Sequence, residues 1–421
     1  MGLLYLAAIL KHHGFNVSYV DCLDRFHPQA PPTDPYARHG RGPYYKTRIP
    51  KPRGLEDVPR YFSRYGIKPE WFRQDLLSIP RPDLVLMTSL MTYWYPGVRE
   101  TIATVKETWP DIPVVLGGIY ATLCRDHAAQ HSGAKRVEAG PAEAYILKLT
   151  GQYTGFAVRP NFDPDDLDTY PYPAFELQRK ITYVPLLTSR GCPMACKYCA
   201  AHFLNAKRML RNPEAVVEEI RFWHKKHDIK DFVFYDDALL VDAQTHAIPI
   251  LEGIIRTGLK LCFHTPNAIH IRELTEQTAR LMFRAGVKTV RLGLETAAFE
   301  MRQELDRKVT VAEFKQAATY LKKAGFQKDQ IGAYLLVGLP GQELRILEAS
   351  IKTVKQAAIT PILVHYSPIP HTALWQQAVA ASRYDLKTDP VFTNNAISPC
   401  QDQSFSWGTL TYLKKLTSVH P

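Results

Sequence analysis

The sequence predicts an α/β protein of two successive units, a doubly wound parallel sheet followed by a partial (β/α)6 barrel of the TIM type. Three observations carry that prediction. Short apolar runs alternate with stretches of helical spacing along most of the chain, the pattern of parallel strands joined by crossover helices. The runs are continuously apolar, as strands covered on both faces must be. The length of 421 residues suffices for two or three domains.

Composition agrees with this reading. Hydrophobic residues make up 46% and charged residues 22% of the chain, an ordinary globular balance that excludes a disordered or collagen-like protein. Lysine and arginine outnumber aspartate and glutamate by 52 to 41, giving +11. A surplus of that size permits anionic partners without demanding them. The apolar opening, residues 1–10, has no basic residue before it and no small-residue cleavage site after it. No run reaches the 18 or so apolar residues of a membrane span. A cytoplasmic location with reduced thiols is therefore expected, so clustered cysteines point to metal before disulfides.

The first unit is expected over 1–150, of the Rossmann or flavodoxin-like kind. A helix over 3–13 presents Leu3, Leu6, Ala7 and Leu10 on one face and stops at Gly14. Strands follow at 16–21, 83–88, 113–117 and 136–138, with a helix over 97–108 marked by Val98, Ile102 and Val105. A doubly wound sheet begins with a strand that ends up central, whereas this unit begins with a helix. The first strand is thus expected to be missing, with in-frame coding sequence upstream of Met1 supplying it. Ligands of such sheets sit at the carboxyl ends of the strands. Here those ends carry Ser89, Gly117, Gly118 and Gly140, where glycine lets a ligand approach the backbone. Plain tight turns are the competing explanation. Residues 36–53 hold six basic residues, three tyrosines and no acid. That composition suits phosphates and stacked bases, although a solvated, mobile insertion is the preferred reading of so much proline and glycine. Residues 151–180, with Pro160, Pro164, Pro171 and Pro173, read as a linker.

The barrel is expected over 181–375, with strands at 183–187, 231–235, 261–264, 289–294, 331–337 and 362–366. Helices over 213–227, 273–285 and 311–324 lie among them, and the tail 376–421 packs on the barrel. Chemistry in such barrels sits at the carboxyl ends of the strands. At the end of the first stands Cys192-Pro-Met-Ala-Cys196-Lys-Tyr-Cys199. Three thiolates on one loop can wrap a compact cluster and leave one iron open. A closed zinc site needs a fourth ligand, for which His202 is the residue to test. Cys22, Cys124, Cys262 and Cys400 have no assigned role. His264, His365 and His371 lack ligand spacing and read as structural.

The C-x-x-x-C-x-aromatic-C loop after a first barrel strand resembles the signature of radical S-adenosylmethionine (SAM) enzymes. The resemblance implies that Cys192, Cys196 and Cys199 bind a four-iron four-sulfur cluster. It implies that the open iron chelates SAM, whose reductive cleavage yields a 5′-deoxyadenosyl radical. It further implies that Tyr198 lies beside the adenine and that Gly338 and Pro340, in Gly338-Leu-Pro-Gly341, form an adenine-side turn. Along Arg291-Leu-Gly-Leu-Glu295 the alternation puts Arg291, Gly293 and Glu295 on one face. There Glu295 would accept from the ribose and Arg291 would pair with the methionyl carboxylate. Asp236-Asp237 stands where many members carry Gly-Gly-Glu, with Asp236 expected at the methionyl amine or capping a helix. Asn267 is expected as a polar wall.

The first unit is similar to the cobalamin-binding domain that precedes many radical SAM barrels, with Ser89, Gly117, Gly118 and Gly140 at corrinoid-lining positions. The cobalt-ligating Asp-x-His-x-x-Gly loop of other cobalamin proteins is absent from the chain. The expected activity is a cobalamin-type radical SAM methyl transfer to an unactivated carbon of a small molecule or natural product. A flavodoxin or ferredoxin would serve as electron donor. Radical modification or rearrangement without cobalamin, with tRNA among the candidate substrates, and a non-catalytic cobalamin or cluster sensor remain the alternatives.

Overall fold

The computed structural model describes residues 1–299, 305–306, 309–400 and 405–418. They fall into two compact units, the first comprising Met1–Tyr183 with Asp389–Val391 and the second Val184–Thr388 with Phe392–Pro421.

In the first unit the opening helix runs Gly2–His12 and buries Leu4, Ala8 and Ile9. An antiparallel pair follows, β1 (Lys46–Ile49) with β2 (Phe62–Tyr65). The parallel sheet has three strands, β3 (Val85–Ser89), β4 (Val114–Gly117) and β5 (Arg136–Val137), in that order. Pro96 opens the helix Tyr95–Thr108, which buries Val98, Ile102 and Val105 as its spacing predicts. Three expectations change. Residues 16–21 pair with no strand among the described residues, although Asn16 to Tyr19 keep the alternation of exposed and half-buried positions that marks a strand. A strand needs a neighbour to share its hydrogen bonds, and none lies beside this one. The basic segment is not a structureless insertion, since its second half forms β1. Helix Ile146–Thr154 runs across the expected boundary at 150 and ends on Gly155 in the left-handed conformation.

The second unit holds a six-stranded, all-parallel sheet. Its strands are β6 (Val184–Leu186), β9 (Asp231–Phe234), β10 (Cys262–Ile269), β11 (Val287–Glu295), β12 (Ile331–Val337) and β13 (Thr360–His365), each beside the next. Two short strands, β7 (Ser189–Arg190) and β8 (Met209–Leu210), pair antiparallel at the end of β6. Crossover helices have clear local causes. Asn212 caps Pro213–His227 by accepting from the Glu214 amide, and His224 to His227 favour its carboxyl end. Thr275 and Thr310 each form reciprocal caps for Glu276–Arg284 and Val311–Ala324. Phe232, Phe234 and Phe263 stack within the core, each contributing roughly 2–3 kcal/mol of burial. The tail supplies helices Trp375–Ala381 and Trp407–Ser418, the latter packed on β13. No helix among the described residues is long and apolar enough to cross a membrane.

Candidate active site

The cysteine loop leaves β7 at Gly191, whose φ of +83° puts an imagined Cβ 2.9 Å from the Lys207 carbonyl oxygen. Only glycine fits that crossing. The β7–β8 pair therefore clasps the loop at its base. Farther on, the Lys197 amide donates to the Leu305 carbonyl, and the Leu374 amide donates to the Lys197 carbonyl. The loop is thus tied down at both ends.

Of the three thiols, Cys196 is buried, Cys192 half-buried and Cys199 exposed. Their sulfurs have backbone donors, Met194 N–H on Cys192 Sγ and Ala201 N–H on Cys199 Sγ, both at 3.4 Å. His270 Nε2 lies 3.6 Å from Cys192 Sγ. N–H groups aimed at sulfur favour thiolate and suit a cluster. Among the described residues the three cysteines do not form a group whose ligand atoms lie within 4.8 Å of one another, as ligands of one ion would. His202 is exposed on the short helix Ala201–Leu204 and joins no such group. The donor set fits a multi-iron cluster better than a single zinc.

Around this loop the expected residues divide. Tyr198 lies beside Glu295 and Cys196; burial first, then those neighbours, hold its phenol far above the ordinary value. Glu295 is buried at the end of β11 with φ +58°, a left-handed conformation that costs a non-glycine residue energy and clusters at functional sites. Gly293, with Glu295 Oε1 3.3 Å from where its Cβ would stand, leaves that carboxylate room. Gly338, with φ +88° and nothing within 4 Å of its missing Cβ, opens the turn that continues through Pro340 after β12.

Three residues are placed differently from expectation. Arg291 shares the face of Glu295, but its guanidinium donates to the carbonyls of Val290 and Gln330. Gln330 precedes β12, so this charge is held at the amino end of the sheet, and Glu295 stands about 13 Å farther along the strand. Alternation could not give the direction in which a long side chain reaches. Asp236 is buried, and its Oδ1 accepts from Thr188 Oγ1 and from the amide and hydroxyl of Ser189. Desolvation pushes its pKa to about 6 despite those donors. It braces the base of the cysteine loop. Asp237, also pushed up by desolvation, accepts from the Gly191 amide while remaining exposed. Asn267 donates to the carbonyls of Tyr235 and Asp236, fastening the end of β9.

Sequence reasoning missed two residues. His270 follows β10 with no motif around it. Gln342 accepts through Oε1 from the Gly338 and Leu339 amides and donates to Leu336 O, clamping the turn. His264 bonds to Thr289 and Asp231, and His371 stacks on Phe203.

A model of the radical SAM superfamily matches residues 186–354. Residues 186–354 are a radical SAM domain. Such a domain carries a four-iron four-sulfur cluster and uses SAM. The chain is 28% identical over 330 residues to an uncharacterized methyltransferase of Pyrococcus horikoshii, spanning 71% of this chain and 70% of that protein. It is 24% identical to the anaerobic magnesium-protoporphyrin IX monomethyl ester cyclase of Rubrivivax gelatinosus, over 72% of this chain and 60% of that one. In fold it is similar to TsrM, a radical SAM methyltransferase from Kitasatospora setae, with TM-score 0.64, 17% identity and coverage of 84% and 81%. The cobalamin-dependent radical SAM enzyme OxsB gives 0.55 at 14% identity, over 77% of this chain and 51% of that one.

The first unit has its own candidate site. Ser89, Gly117, Gly118 and Gly140 stand at the carboxyl ends of β3, β4 and β5. Ser89 and Gly118 bridge in parallel, and Gly118, at φ +85°, would drive a Cβ into Thr88 Oγ1. Gly140, at φ +79°, has nothing within 4 Å of its missing Cβ, and its amide donates to Thr122 Oγ1. Directly after Ser89 come Leu90, Met91 and Trp94, all large, apolar and exposed.

Proposed function

We propose that the protein is a cobalamin-dependent radical SAM enzyme that transfers a methyl group to an unactivated carbon of a small molecule. The observation that carries this reading is the carboxyl edge of the first unit. Its backbone is open at Gly140 after β5, and Leu90, Met91 and Trp94 are uncovered after β3. Large apolar side chains left exposed at the carboxyl end of a sheet suit a ligand or partner, and a corrinoid is large and flat enough to span such an edge. The methyltransferase relative and the fold likeness to OxsB support it.

In this reading Cys192, Cys196 and Cys199 hold the cluster, and the N–H groups of Met194 and Ala201 stabilise two of the thiolates. Glu295 receives the ribose hydroxyls, Tyr198 lies along the adenine, and the Gly338–Pro340 turn lines its edge. Asp237, exposed where Asp236 is not, accepts from the methionyl amine. Arg291 and Asp236 hold the scaffold rather than the ligand. Ser89, Gly117, Gly118 and Gly140 seat the corrinoid. Bound cluster and corrinoid supply electron transfer and methyl carriage, while the chain positions them and excludes water. Three clustered cysteines that would hold an iron–sulfur cluster suit a reducing compartment, so we place the protein in the cytoplasm with a flavodoxin- or ferredoxin-type electron donor.

Anaerobic reconstitution with iron and sulfide tests the reading. Wild-type protein is expected to gain cluster absorbance and to form 5′-deoxyadenosine from SAM under reduction. Cys196→Ala loses both. Hydroxocobalamin is expected to bind and change its visible spectrum. Absence of 5′-deoxyadenosine from cluster-loaded protein would sink the enzyme assignment, and absence of corrinoid binding would sink the cobalamin part alone.

A further inference from the structure

The basic, tyrosine-rich segment plays no part in the proposed chemistry, and its geometry is specific. Arg25, a buried arginine, anchors the chain ahead of β1. Its guanidinium donates to the carbonyls of Asp34, Gly40, Gly42 and Pro43. Four backbone acceptors on one cation fix this stretch in place.

From there the register of β1 against β2 sorts the side chains. Lys46 stands opposite Tyr65 and Arg48 opposite Ser63. The inward face is occupied: Tyr45 packs on Trp71, and Arg64 pairs with Glu100. The outward face carries Lys46, Arg48, Tyr61 and Tyr65, with Tyr44 continuing the alternation. Tyr61 is 73% exposed, Tyr65 58% and Tyr44 39%. The Arg48 guanidinium lies 3.7 Å over the centre of the Tyr61 ring. Among the described residues neither Lys46 nor Arg48 has an ion-pair partner, and no acid stands on this face.

We infer that the outer face of the β1–β2 hairpin binds single-stranded nucleic acid. Two unneutralised cations supply phosphate contacts, and the exposed rings supply stacking platforms. The Arg48–Tyr61 pair offers a flat cationic surface of the kind that stacks on a base. An anionic membrane would meet the same charges. However, no Leu, Ile, Phe or Trp stands on this face to enter an acyl layer, and the phenols are polar at their tips. The inference is independent of the barrel's substrate.

The test is fluorescence anisotropy of the full chain with a labelled single-stranded RNA of about ten nucleotides, from about 50 to 200 mM salt. Wild-type protein is expected to bind and to weaken steeply with salt. Lys46→Glu with Arg48→Glu is expected to weaken binding more than about tenfold and to flatten the log–log salt slope by about 1.4. Tyr61→Ala with Tyr65→Ala is expected to weaken it at least about tenfold at an unchanged slope. All four side chains point to solvent, and unchanged circular dichroism and SAM binding would confirm folded variants. No binding at the lowest salt overturns the inference, as does wild-type affinity in both variants. Equal competition by dextran sulfate, which has charge without bases, overturns it too. So does tyrosine-dependent binding to phosphatidylserine vesicles that exceeds binding to RNA.

Discussion

The two parallel sheets are written in the same kind of apolar run, yet they bury those runs unequally. In the barrel, Phe263, Leu292, Leu294, Ile331, Ala333 and Leu335 are fully buried, on strands flanked on both sides. In the first unit Val114 to Leu116 on the middle strand β4 are buried as well, but Val85 to Met87 on β3 are only half-buried. The last barrel strand, β13, behaves like β3. Both stand at sheet ends, as does β6, where Val184 and Leu186 are nonetheless fully buried. A continuous apolar run therefore reports that both faces of a strand are covered and says nothing about its edges.

The largest expected difference between the units concerns charge. In the barrel unit, Arg211 pairs with Glu219 with both side chains almost wholly buried, and Trp223 Nε1 also donates to Glu219. Arg211→Ala strands a buried carboxylate and is expected to cost about 3–5 kcal/mol in urea unfolding. Arg64–Glu100 in the first unit is partly exposed, and Arg64→Ala is expected to cost less than about 1 kcal/mol. Similar losses in both variants would show that burial does not separate the pairs.

Acidification is expected to move the units in opposite directions. Asp236 has a folded pKa of about 6, raised from 3.8 by desolvation. The folded state therefore holds this proton more tightly than the unfolded state, and stability falls as pH rises from about 4 to 6. The effect is at most about 3 kcal/mol. His127 in the first unit is lowered to about 4, chiefly by desolvation and then by His131. There the unfolded state takes the proton first, so stability is lost as pH falls below 6.5. Asp236→Asn and His127→Gln are each expected to flatten one slope of a stability-against-pH series and leave the other.

A smaller effect concerns the cluster. His270, 3.6 Å from Cys192 Sγ, is expected to donate to the sulfur and raise the cluster's reduction potential. His270→Ala should shift the midpoint, followed by electron paramagnetic resonance during redox titration, to a more negative value. Cys22→Ala in the first unit serves as the control and should leave the midpoint unchanged. An unmoved midpoint in His270→Ala would assign the histidine to packing.

Much of the barrel was legible because each strand lies between punctuated helices and has a neighbour on the sheet. The Cys192–Cys199 loop stood out because its three cysteines lie within eight residues of sequence. Residues 16–19 have a strand's alternation but, among the described residues, pair with no strand, and a partner is something no local pattern can supply. Arg291 and Asp236 illustrate the same limit for side chains. Their positions followed from alternation and strand ends, but the carbonyls and hydroxyls they bond come from residues 39 and 47 positions away. Gln342 and His270 were silent in the sequence because each acts through a contact that tertiary structure creates.

The mildest test compares one clamp from each unit. Gln342 holds the Gly338 turn by two accepted bonds and one donated bond, and Thr122 holds the Gly140 turn by one. Removing a clamp leaves the turn in place but frees it to sample other conformations, and with water replacing most of the lost bonding the net cost is about 1 kcal/mol per clamp. Gln342→Ala is therefore expected to weaken SAM binding to cluster-loaded protein several-fold in equilibrium dialysis, with cobalamin binding unchanged. Gln342→Glu keeps both accepted bonds, loses the donated one and should fall between. Thr122→Val should do the reverse, weakening cobalamin about fivefold and leaving SAM alone. If Gln342→Ala bound SAM as wild type does, the turn after β12 would not be part of the SAM site. Loss of both ligands in either variant would mean that the two sites are not independent.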